Sequence, residues 1–165
     1  MTVTDTRHAL TGRDLIEPEL FARMSTRIAS EHCINDATAE RIMDQALAFL
    51  AACAVTTTPL SPSRQVDIGW HTFILYTRDY AAFCDRVAGR FIHHVPTEHD
   101  AAGCQMCNGN CDSDDGDKAT TAGGTTAAIA AAGYEVDTAM WEDAAKCSQC
   151  HNGCSNDPPP DPKAF

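Results

Sequence analysis

Positive charge is scarce in this 165-residue chain: Lys and Arg together number 12 against 23 Asp and Glu, for a net charge of -11. A surface of that sign repels a polyphosphate instead of releasing its counterions, which argues against nucleic acid as a partner. Long apolar runs are missing as well. No stretch approaches the roughly 18 apolar residues that a membrane span needs. The opening from Met1 to Leu10 has neither the basic start nor the apolar run of a secretory signal. The expectation is a cytoplasmic chain without a membrane partner. Also absent are a phosphate-cradling glycine loop, a Ser–His–Asp order and a paired-carboxylate signature, so no familiar catalytic frame offers itself. The length suits one compact domain and leaves little room for a second large one.

What is present is helical periodicity. From Asp14 to about Cys33 the apolar groups Leu15, Ile16, Leu20, Met24 and Ile28 recur at near-helical spacing, with Pro18 tolerable only in the first turn. A second helix starts at Asn35 or Asp36, either of which can cap free N–H groups. It carries Ile42, Met43, Ala46, Leu47, Phe49 and Leu50, and stops before Thr56 to Pro59. Ser61 and Pro62 read as a hydroxyl cap followed by proline at the first helical position, opening a third helix that reaches about Val87. Its apolar face is Val66, Trp70, Phe73, Ile74, Thr77, Tyr80, Ala81, Cys84 and Val87, wide enough for two neighbours, and Gly89 ends it. The run from Phe91 to Pro96 is extended, because the residue before a proline is pushed out of the helical region.

Large apolar groups nearly vanish from Thr97 to Gly124, so that stretch cannot build a conventional core. A short helix over Thr126–Ala132, stopped by Gly133, and another capped by Asp137 lead into the final cysteines. The predicted architecture is mainly α: a small helical bundle over residues 1–100, a cysteine-rich, metal-ordered segment over 101–156 packed on it, and a tail over 157–165.

Nine cysteines in a reducing compartment point to metal or redox chemistry before structural disulfides. Cys104, Cys107 and Cys111 repeat the spacing of Cys147, Cys150 and Cys154, CxxCxxxC in both cases, with Asn and Gly in matching places. Two sulfurs separated by two residues can curl round a tetrahedral ion, with glycine permitting the turn. Cys104, Cys107, Cys147 and Cys150 would complete a zinc knuckle. Such a site supplies on the order of 10 kcal/mol of apparent binding free energy, enough to fold a core-poor segment. With Cys111 and Cys154 added, the set extends to two metals or to an iron–sulfur cluster. Thiolate-rich ligands suit zinc, cuprous copper and iron–sulfur clusters alike. The plain alternative is a flexible tail that oxidises on isolation. Cys147 to His151 also fits the CxxCH of haem attachment, but the missing export signal and the third cysteine count against haem. The acidic run from Asp112 to Asp117 lacks the glutamate that closes a calcium loop, since Gly123 stands there.

Histidines make a second constellation. Asp67 and His71 are four apart on the third helix and share a face, with Arg78 about two turns beyond. A carboxylate one turn from an imidazole suits a shared metal or an orienting partner that fixes the tautomer, and equally a buried histidine in a salt-linked network. His93 and His94 follow in the extended run, where neighbours point to opposite faces, so only one of them should join His71. Cys84 lies nearly four turns after His71, too far to share its ion, and is expected to be a packed core thiol like Cys33 and Cys53.

The stretch from Val66 to Cys84, with Asp67 and the Trp70-His71 pair, followed by His93-His94 before Pro96, resembles the glycine-rich domain-containing protein-like family. The likeness covers about residues 60–96 well and the preceding helices loosely. It implies a bacterial member of a domain family without an assigned activity, in which a Trp-His helix and a His-His-x-Pro turn are the marks. The glycine-rich region of the plant members is replaced here by the cysteine-rich part, so their RNA-related suggestions do not carry over.

Three functional readings follow. The first is a small metal-binding protein, zinc before other metals, with a structural cysteine site and a His-containing helical face that serves a ligand. The second is a metalloenzyme in which His71, one of His93 or His94, and Asp67 hold zinc, iron or copper with an open position, acting on a small molecule or peptide, for instance in natural-product modification. The third is a precursor peptide with a helical leader, suggested by Gly123-Gly124 in its hydroxyl-rich surroundings.

Overall fold

Asn35 is the cap that its side chain suggests: its Oδ1 accepts from the Thr38 N–H at 2.8 Å and opens the longest helix, Asp36–Val55. The structure, a computed structural model, describes residues 9–94 and 122–142. In them five α-helices appear: α1 (Pro18–His32), α2 (Asp36–Val55), α3 (Arg64–Leu75), α4 (Thr77–Ala88) and α5 (Ala122–Ala131). Tight helical turns at Gly12–Leu15 and Thr138–Met140 complete the set. Outside the helices an isolated parallel bridge joins Leu10 and Tyr134, and His93 also takes part in a β-bridge. No helix among them is long and apolar enough to cross a membrane. The mainly α expectation holds, while the metal-ordered cysteine segment falls outside the described residues.

The core forms around α2, whose Met43, Ala46, Leu47, Phe49 and Leu50 are fully buried. Helix α1 contributes Met24 and Ile28, α3 contributes Val66, Trp70 and Phe73, and Phe49 packs on Trp70 with ring centroids 5.4 Å apart. Helices α2 and α3 approach closely at Gly69, where a Cβ would sit 2.6 Å from that of Ala46 and 3.0 Å from the Ile42 carbonyl oxygen. Residues two positions either side of Gly69 lie about 200° round the helix, so Asp67 and His71 are carried on the face turned away from α2.

Besides α5, which begins at Ala122 and not at Thr126, three boundaries differ from the sequence expectation. The first predicted helix is a tight turn at Gly12–Leu15 followed by α1, and Pro18 takes the first helical position as its missing N–H allows. Ser63, not Ser61, caps α3: its Oγ accepts from the Val66 N–H at 3.1 Å and donates to the Met140 carbonyl at 2.6 Å. The single third helix is two, broken at Tyr76 (φ -88°, ψ 60°). The break turns the predicted stripe. Tyr80, Phe83 and Cys84 are buried, whereas Thr77 and Ala81 are exposed. It also moves Arg78 onto a different helix from His71.

Of the three cysteines within reach, Cys84 is the packed core thiol expected and the other two are not. Cys33 is no core thiol: it is exposed and caps α1 in the left-handed region at φ 53°. Cys84 is buried, and burial pushes its thiol up. Cys53 is buried but disulfide-bonded, so it is not a free thiol either.

The segment 122–142 adds Ile129, Met140 and Trp141 to the same core. Gln45 organises that contact. Its Oε1 accepts from the Asp137 N–H at 3.0 Å and the Trp141 indole N–H at 2.9 Å, and its Nε2 donates to the Glu135 carbonyl at 3.0 Å. Nearby, the Arg41 guanidinium forks onto Asp137 at 2.5 and 2.8 Å. That hydrogen bond holds the Asp137 carboxyl below the usual carboxylate range, against a smaller opposing effect of burial. A depressed carboxylate stabilises the fold above its unfolded value and loses that contribution as pH falls through its folded value. We therefore expect Asp137→Asn to flatten the fall in denaturation free energy as pH drops below about 4, the ordinary carboxylate value. An unchanged pH slope in the variant would refute the assignment.

Candidate metal centre

Three donors converge on the outer face of α3. Asp67 and His71, one turn apart, bring the imidazole Nδ1 to 3.2 Å from Asp67 Oδ2 and to 3.0 Å from the Asp67 carbonyl oxygen. His94, 27 residues further along, places Nε2 2.8 Å from Asp67 Oδ1. The two imidazole centroids are 4.2 Å apart. One ligand atom from each of Asp67, His71 and His94 lies within 4.8 Å of the other two.

The surroundings are asymmetric. The side chain of His94 is 10% exposed and that of Asp67 27%, whereas that of His71 is 52% exposed. Buried Trp70 lies against His94, with ring centroids 4.2 Å apart and planes at 60°. The cluster thus has a closed indole side and an open side at His71.

His94 reaches α3 because the chain reverses after α4. Gly89 ends that helix at φ 62°, a conformation that costs glycine no Cβ clash. Ile92 then inserts completely into the core. With Ile92 inward, alternation sends His93 outward, where it is exposed and lies tilted against Phe91, ring centroids 4.9 Å apart. The structure brings His94, and not His93, to Asp67 and His71. The six clustered cysteines, Cys104, Cys107, Cys111, Cys147, Cys150 and Cys154, lie outside the described residues, as does His151.

Donors bound to one ion at about 2.0–2.2 Å and tetrahedral angles lie roughly 3.3–3.6 Å apart, so a cluster whose donor atoms lie within 4.8 Å of one another closes by up to about 1.4 Å to seat a zinc-sized ion. Two imidazoles and one carboxylate with open positions are the donor set of catalytic zinc sites and of non-haem iron(II) centres. Sequence reading paired Asp67 with His71 but missed the buried group behind them. Trp70 donates its indole N–H to the Tyr80 hydroxyl at 2.9 Å, and that hydroxyl donates to the Ile92 carbonyl at 2.6 Å. No local pattern announces a bond between residues on two helices separated by an unforeseen break.

No curated protein and no solved structure matches the chain. The resemblance to the glycine-rich domain-containing protein-like family is not upheld, because the family model that matches is a different one. That model, described as UCP032817-like, covers residues 13–109, more than half of the chain and all of α1 to α4. The chain belongs to the UCP032817-like family.

Proposed function

We propose that this protein binds a divalent transition metal, zinc or iron(II), through Asp67, His71 and His94, and uses its open positions to engage a small molecule or peptide. The observation that carries the reading is the meeting of three donors from two chain segments on one face. An isolated Asp–His pair one helical turn apart would be an ordinary surface contact. A third, largely buried imidazole delivered from beyond α4 and backed by an indole is a built arrangement. The half-exposed His71 leaves room for water or substrate, as in metal centres that polarise a bound ligand. Four of the six clustered cysteines belong to the same proposal as ligands of a separate, structural zinc site, which leaves one of the other two to pair with Cys53.

Cobalt(II) substitution tests both parts on the whole chain. Thiolate ligands give sulfur-to-cobalt charge-transfer bands, which a nitrogen and oxygen site lacks. The expected spectrum contains a component without charge transfer that survives Cys147→Ser and disappears in His71→Ala. If His71→Ala leaves the cobalt spectrum and stoichiometry unchanged, the Asp67–His71–His94 centre is not a metal site.

A further inference from the structure

We infer that Tyr80 is the positioning residue of this centre, deciding that His94 and not the adjacent His93 enters it; the inference rests on reading the cluster as a metal site. One hydroxyl joins three parts of the chain. It accepts from Trp70 on α3, sits on the first turn of α4, and donates to the carbonyl of Ile92 two residues before His94. Tyr80 is 1% exposed, and Trp70 and Ile92 are equally enclosed. The Tyr80 ring packs edge-on against Phe73 at 5.2 Å and Phe91 at 5.3 Å, so the ring is fixed independently of its hydroxyl.

The consequence is a choice of side. In an extended chain, side chains alternate, so holding Ile92 inward by its carbonyl and its buried side chain commits His93 to solvent and His94 to Asp67. The same hydroxyl holds the indole against which the His94 ring rests. Removing it releases the carbonyl and the indole together. His93, already exposed beside Phe91, is then free to compete for the place.

Tyr80→Phe tests this, because it keeps the ring packing and deletes only the hydroxyl. In the metal-free protein, the ring protons of His94 should show the ring-current shift that Trp70 imposes in wild type and lose it in Tyr80→Phe. Cobalt(II) affinity should fall about tenfold, the scale of losing a partner that orients a ligand. That loss should vanish when Tyr80→Phe is made in a His94→Ala background, since a residue acting through His94 has nothing left to position. Unchanged His94 shifts, or an equal loss in both backgrounds, would overturn the inference. A wild-type chain that takes up no cobalt defeats the metal reading alone, because the ring shifts are read without metal. Should Tyr80→Phe not fold, Trp70→Phe removes the indole donor, and the same affinity cycle with His94→Ala decides the question.

Discussion

Asp67→Asn should weaken cobalt(II) or zinc(II) binding by at least about 100-fold, beyond the 10–100-fold that follows loss of an outer orienting partner. Asp67 is the one anion of the cluster, and each of its oxygens faces a different imidazole, at 2.8 Å and 3.2 Å. An amide is neutral and offers one weak donor atom, so the variant loses a ligand and the group that aligns the other two. Stability should change little, because Asp67 is solvated on one side and takes no part in the α2–α3 contact. Competition with a chromophoric chelator measures the affinity. A value within about threefold of wild type would defeat the assignment, whereas His93→Ala in the same assay should be silent.

The second large effect is on stability. Gln45→Leu should cost about 2–4 kcal/mol, since the buried Trp141 indole N–H loses a match worth about 1–3 kcal/mol, two part-buried backbone partners lose somewhat less each, and the similar side-chain volume leaves no large cavity to add to the cost. The orphaned groups are the Asp137 N–H, the Trp141 indole N–H and the Glu135 carbonyl. Because all three belong to the segment after α5, the indole of Trp141 should also move toward water. Urea denaturation followed by tryptophan emission reads both effects. A loss below about 1 kcal/mol would mean that water replaces the glutamine, contrary to the 1% exposure of that side chain.

The helices were legible wherever a cap and a periodic face agreed, as in α2, where Asn35 and the run from Ile42 to Leu50 point the same way. They were misread where two signals competed. Ser61-Pro62 is a good local start, yet Ser63 takes the role because its hydroxyl also finds the Met140 carbonyl, a partner invisible to local sequence. The break at Tyr76 escaped notice because apolar residues continue on both sides of it. Of the candidate site, the Asp67–His71 pair follows from helical spacing alone, and the restriction to one of His93 and His94 from strand alternation. The choice of His94 does not follow, for it is made by the tertiary bonds of Tyr80. Gln45 carried no signal at all, since a glutamine inside an alanine-rich helix looks like any tolerated polar residue. The family resemblance failed differently: one Trp-His pair and one histidine turn are too short a pattern to fix a family.

The bridge between Leu10 and Tyr134, and the bond from Trp141 to a glutamine 96 residues earlier, also bear on how the chain assembles. Contacts of such separation are slow to form, because a long loop must close before they return any energy. During synthesis the four-helix portion emerges first, before Ile129, Met140 and Trp141 exist to cover their flank of α2. The residues that place Asp67, His71 and His94 together are thus all made before the segment that closes the hydrophobic interior.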